Sequence, residues 1–154
     1  MQDFISALRG RWMHRHTIAA RRRLGVALAL VTLAAACTAP AASANSVGCT
    51  WAEGSGASYV CLGIYGSGTY VNQFRVSRNH QYNSICNYRA RVVVYQPTRG
   101  SVTYYSSYHS GCSWNTAWMD VWPRRNFENK SKACGYWYES GRWLSGVPCN
   151  QIHS

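Results

Sequence analysis

Apolar and polar residues alternate through much of the chain beyond residue 56. The pattern is clearest over 85–95. Cys86, Tyr88, Ala90, Val92 and Val94 fall on one side, and Asn87, Arg89, Arg91, Val93 and Tyr95 on the other. A period of two is what a strand with one buried face requires. Weaker forms of it run over 57–65, bounded by Gly54, Gly56 and Gly66-Ser67-Gly68, and over 69–78 with Val71, Phe74 and Val76. Segment 101–108 is built of Ser, Val, Thr and Tyr, which favour strands. In 112–122, Trp114, Trp118 and Trp122 recur every four positions, a spacing that fits one face of either a helix or a strand. Gly111, Ser113, Asn115 and Thr116 weaken a helix there, so a strand is predicted. Segments 132–139 and 142–147 flank Ser140-Gly141, a hairpin-turn dipeptide. Pro123 to Lys132 reads as a polar, basic surface loop. No amphipathic run of helical length occurs over 45–154. About seven short strands with Gly, Pro and Ser turns predict an all-β fold, a small antiparallel β-sandwich or barrel.

The first 44 residues follow different rules. A basic stretch ends in Arg21-Arg22-Arg23, an apolar run spans Leu24 to Ala36, and Ala42-Ser43-Ala44 follows. The apolar run falls short of the ~20 residues a membrane span needs. Basic, apolar and small-residue parts in this order make a secretory signal peptide over 1–44, with cleavage after Ala44. Met13 is an alternative start and leaves the mature chain unchanged. Leu33-Ala34-Ala35-Ala36-Cys37 supports a minority reading, because it resembles a bacterial lipoprotein signal with Cys37 as the lipidated residue. It departs from that pattern at Ala34, where a larger aliphatic residue is usual. The Ala- and Arg-rich leader is similar to those of proteins exported by GC-rich bacteria. A secreted, extracellular location is expected for a single domain over 45–154, with no transmembrane helix in the mature form.

Dividing the chain there changes its arithmetic. The formal charge of +11 separates into +5 for the leader, with six arginines against Asp3, and +6 for 45–154, with ten Lys/Arg against four acids. Of seven cysteines, Cys37 leaves with the leader. Cys49, Cys61, Cys86, Cys112, Cys134 and Cys149 remain, and an even count in an exported chain implies disulfides. Spacing alone leaves the connectivity open. Sequential pairing (49–61, 86–112, 134–149) is the expectation.

Candidate chemistry is sparse. Glu53, Asp120, Glu128 and Glu139 are the only carboxylates of the mature chain, and their spacing singles out no glycosidase pair. No Gly-x-Ser-x-Gly elbow, P-loop, Cys-x-x-Cys or His-x-x-x-His occurs. No catalytic residue, cofactor or metal is assigned. Aromatic residues, by contrast, make up 14% of the chain. A domain of this size cannot bury six Trp and eleven Tyr with every polar tip satisfied, so some rings are expected at the surface. Trp114 and Trp137 are the candidates for the core. Tyr105, Tyr108, Trp118, Trp122, Arg124, Arg125, Lys130 and Lys132 are the candidate ligand-binding residues. Arg89 and Arg91 share one strand face.

These features predict a secreted, non-enzymatic binding protein with a basic aromatic surface. Its partner would be a glycan, an anionic cell-envelope polymer or a secreted protein. Nucleic acid suits such a surface but not the compartment, and a monomer is expected. The alternative is a secreted interaction effector, a protease inhibitor or antibacterial toxin, acting through loop 96–101 or 123–132. A weaker alternative is a small hydrolase using His109 with Asp120.

Overall fold

The computed structural model describes residues 45–53 and 57–154. The readings made on the leader (the signal peptide over 1–44, Cys37 lipidation, the Met13 start) lie outside these residues. Among them every regular element is a strand: β1 (Ser46–Trp51), β2 (Ser58–Ser67), β3 (Tyr70–Gln96), β4 (Gly100–Tyr105), β5 (His109–Val121), β6 (Arg125–Asn126), β7 (Ser131–Glu139), β8 (Arg142–Trp143) and β9 (Cys149–Ile152). They form one antiparallel sheet, nearly closed into a barrel.

β3 organises the sheet. It is 27 residues long, and its two halves have different neighbours. Phe74 to Asn79 lies between β2 and the C-terminal part of β5. Arg91 to Tyr95 lies between β4 and β7. β1 extends the first half through β2, and β8 and β9 extend the second through β7. The inward positions of both halves meet in one core, with Val60, Leu62 and Ile64 of β2, Phe74, Val76, Ala90, Val92 and Val94 of β3, and Trp137 of β7. Gly135 permits the approach, since a Cβ there would stand 3.3 Å from both Leu62 Cβ and Val76 Cγ2.

Three sequence expectations are modified. Segments 69–78 and 85–95 belong to one continuous strand. Residues 81–84 between them are exposed, and the register shifts between Asn79 and Ser84. The strand leaves the core there, so its apolar alternation stops while backbone pairing resumes beyond. The 123–132 connection is more than a surface loop. Its Phe127 is buried, 6.0 Å from Phe74 between ring centres, and Arg125–Asn126 pairs with Tyr70–Val71. Of 142–147, only Arg142 and Trp143 are strand. The Ser140-Gly141 turn forms as expected, with φ of 50° and 92° at its two central residues, as a type I′ hairpin turn requires.

The cysteines pair sequentially. Each disulfide joins residues directly opposite on neighbouring strands: Cys49–Cys61, Cys86–Cys112 and Cys134–Cys149. One charge enters the core. Arg78 is 1% exposed. Its Nε donates to Glu139 at 3.1 Å, and its Nη1 donates to the Asn79 carbonyl at 2.8 Å and to Ser58 Oγ.

Candidate functional site

β5 places its tryptophans by parity. Ala117 and Val121 point into the core. The alternate positions Trp114, Thr116, Trp118 and Asp120 therefore point out, and Trp122 follows in the same phase. Trp114, Trp118 and Trp122 are 64%, 57% and 50% exposed. At about 3.3 Å rise per residue, neighbouring rings of this row stand roughly 13 Å apart along the strand.

Register then supplies the rest of the face. Trp118 lies opposite Ser77, and Thr116 opposite Asn79. Asn79 in turn lies opposite Tyr59, and Tyr59 opposite Trp51. Trp51 is exposed, and its ring leans on Tyr59 with centroids 4.4 Å apart. An open depression of about 730 Å³ lies on this face. The Cys49–Cys61 disulfide, Tyr59, Asn79, Gln81, Asn115 and Thr116 line it. Aromatic rings beside amide and hydroxyl groups provide stacking surface and paired hydrogen-bond donors and acceptors.

Arg75 and Asp120 close one end of the face with a bidentate ion pair, Nε to Oδ1 at 2.7 Å and Nη2 to Oδ2 at 2.9 Å. The hydrogen bond from Arg75 holds the Asp120 carboxyl below the usual aspartate range, against a smaller opposing effect of burial. The same bond raises Arg75. The Arg75 guanidinium carbon stands 6.0 Å from the centre of Trp118, and that of Arg124 stands 5.6 Å from Trp122.

The second half of β3 carries a different face. Arg89 and Arg91 project outward between the strands β4 and β7. Arg91 lies 4.3 Å from the Tyr136 ring centre and 4.6 Å from Trp143. Arg89 lies 5.1 Å from Tyr138, 5.5 Å from Trp143 and 5.9 Å from Tyr105. Tyr136 shares a long hydrogen bond of 3.5 Å with Tyr95, which with burial raises its phenol above the usual tyrosine value.

The eight candidate residues therefore divide. Trp118, Trp122 and Arg124 belong with the tryptophan row. Tyr105 pairs with Arg91, and Lys132 with Tyr95, so both belong with the arginine face. Tyr108 is exposed in the connection between β4 and β5. Arg125 sits on β6 over Phe127, and Lys130 sits in the turn before β7 with φ of 67°. Trp137 is fully buried, whereas Trp114 is exposed. Trp143 joins the arginine face, and Trp51, Tyr59, Tyr136 and Tyr138 join these faces without having been singled out. Strand parity signals each of them only once its strand's register is known.

The His109 ring stacks on Tyr88, with centroids 4.5 Å apart, while Asp120 is bound by Arg75. The two lie on one strand, eleven positions and on the order of 35 Å of extended chain apart. Among the described residues no three His, Cys, Asp or Glu side chains converge on a metal position, and no helix is long and apolar enough to cross a membrane. Comparison with protein-family models, curated proteins and solved structures finds no match.

Proposed function

We propose that the 45–154 domain is an exported, non-enzymatic binding protein that holds a polysaccharide chain across the tryptophan face. The observation that carries this is the row Trp114, Trp118 and Trp122, exposed on the outer side of the strand that buries Ala117 and Val121 inward. Large apolar rings outside the core add nothing to packing, and clustered exposed aromatics mark interaction surfaces. Flat rings offer stacking area to the apolar faces of sugar rings, and Asn79, Gln81, Asn115 and Thr116 offer partners for hydroxyl groups. The row's length suits an extended chain better than a single small ligand. Three disulfides fit an oxidising compartment.

The test is retention on insoluble cellulose, chitin and peptidoglycan at rising salt. Retention on at least one polymer is expected to persist in salt, because stacking is not screened as ionic contacts are. Trp118→Ala and Trp114→Ala are each expected to weaken it about tenfold or more, as central aromatic truncations do. Exposed positions contribute within about 0.5 kcal/mol to stability, so the melting temperatures of both variants should stay near wild type. A domain that none of these polymers retains at low salt would remove the reading.

One observation favours the effector alternative. Glu128 accepts hydrogen bonds from the Thr98 amide at 2.8 Å and from the Thr98 hydroxyl, and its carboxylate pairs with Arg99 at 3.2 Å. The 97–99 turn and the 123–130 connection are thereby braced together, and a rigid loop loses little entropy on binding a protein. Stoichiometric inhibition of a protease, or growth inhibition of neighbouring cells, would select this alternative.

A further inference from the structure

The four acidic side chains of the domain are all taken. Asp120 pairs with Arg75, Glu139 with Arg78, Glu128 with Arg99 and Glu53 with Arg142. Among the described residues six cations are left without an acidic partner: Arg89, Arg91, Arg124, Arg125, Lys130 and Lys132. Arg89 and Arg91 differ from the rest in how they are held. They are two positions apart on one side of β3, about 7 Å along the strand, and both guanidinium carbons lie within 5.5 Å of the centre of the Trp143 ring. Tyr136 and Tyr138 hold them from β7. The Nε atoms of both are buried with no hydrogen-bond acceptor. Lys132 adds a third positive charge on the same side of the sheet, beside Tyr95.

We propose that this arginine pair is an anion site for a phosphate-bearing ligand, distinct from the tryptophan face and independent of the polysaccharide reading. Two neighbouring guanidinium groups with no counter-charge repel one another, and an anion between them relieves the repulsion. The rings that flank them fix the planes of the forks before the ligand arrives, which lowers the entropy lost on binding. A carboxylate has two oxygens, and one bidentate arginine occupies both. A phosphate monoester has three free oxygens, so one phosphate can answer two forks. It carries close to two negative charges above its second pKa of about 6, which suits two arginines and a lysine.

Calorimetric titration of the disulfide-intact domain with inorganic phosphate tests this, with sulfate and acetate compared at equal ionic strength. Dianionic phosphate is expected to bind more tightly than acetate, and to weaken relative to sulfate as the pH falls through the second pKa of phosphate and the dianion takes up a proton. The double variant Arg89→Gln/Arg91→Gln should weaken phosphate binding at least about tenfold, the loss expected when charge-assisted bidentate contacts go. Arg124→Gln/Arg125→Gln removes the same charge and should leave affinity within about twofold, since separated surface charges are screened. In the wild-type protein the Arg89 and Arg91 Nε–H resonances should shift on phosphate addition, a readout that survives even if the first double variant fails to fold. Equal losses in the two double variants would reduce the effect to net charge and overturn the site. Acetate binding as tightly as phosphate, or phosphate binding that does not weaken relative to sulfate as the pH falls, would overturn the assignment of the ligand. Trp114→Ala/Trp118→Ala should bind phosphate normally, so the two faces stand or fall separately.

Discussion

Arg78 is where a single side chain departs most from the chemistry of its surroundings. A buried guanidinium is costly unless its partners are well placed, and here Glu139, the Asn79 carbonyl and Ser58 surround it. Removing one partner of such a pair leaves the other uncompensated. Arg78→Ala is therefore expected to lower stability by about 3–5 kcal/mol, read as a shift of the urea midpoint. Arg78→Met with Glu139→Gln removes both charges and should recover most of that loss. A single variant as stable as wild type would mean that the pair contributes nothing. Asp120 and Glu128 make a second prediction. Both carboxyls are lowered in the folded state, Asp120 by Arg75 and Glu128 by the Thr98 hydroxyl and amide. The unfolded chain thus binds more protons than the folded one as pH falls through the ordinary carboxylate range near 4. The stabilisation is complete above that range and is lost as pH drops through the folded values. Melting temperature should hold steady from neutral pH to about 5 and fall below about 4, and Asp120→Asn should flatten part of that fall. An acid limb of unchanged steepness in that variant would show that the ion pair is not its source.

Among the elements, β5 shows what a sequence can and cannot disclose. A spacing of four is compatible with one face of a helix and one face of a strand. Only the poor helix formers around Trp114 decide for the strand, and parity then puts all three tryptophans on one side. Which side is outward follows from small or aliphatic residues at Ala117, Met119 and Val121, so the exposure of the whole row was legible, and placing Trp114 in the core ran against its own parity. β3 was legible in its two apolar halves and illegible between them, because Asn79 to Ser84 is held by hydrogen bonds such as Tyr82 N–H to Asn115 Oδ1 at 2.9 Å rather than by side-chain burial. β1 and β9 had no signal of their own. Each is short, and their cysteines, Cys49 and Cys149, are the best mark of where they pair. The 123–132 segment reads as solvated by composition, and its one anchor, Phe127, is a single ring with no periodic neighbour. The candidate site residues divide between two faces for a related reason. Alternation assigns a residue to a side of its own strand, but only register between strands says which residues share a face. Tyr105 went to Arg91 and Trp118 to Ser77 because β4 pairs with Arg91 to Gln96 of β3, and the C-terminal part of β5 with Phe74 to Asn79.

At the scale of the molecule, the disulfides bear on both faces at once. Cys49–Cys61 lines the depression beside Trp51 and Tyr59, Cys86–Cys112 joins β3 to β5 near their irregular register, and Cys134–Cys149 joins β9 to β7, the strand that carries Tyr136 and Tyr138. Their sequence separations are 12, 26 and 15 residues. Loops of such lengths correspond to about 3 kcal/mol of unfolded-state entropy each. Together that is about 9 kcal/mol, against a usual domain stability of about 5–15. The described residues form strands around one long central strand, with many contacts between residues distant in sequence, so the domain relies on such cross-links more than a helical bundle would. Full reduction is therefore expected to unfold the domain at or below physiological temperature, with loss of near-ultraviolet circular dichroism, polymer retention and phosphate binding together. Replacing one cysteine pair by serine, for example Cys49→Ser/Cys61→Ser, should cost about 3 kcal/mol and leave a folded protein. A reduced domain that kept its near-ultraviolet signal would place its stability in the core around Trp137 and Phe74 instead, and would remove the argument that the two faces depend on the cross-links.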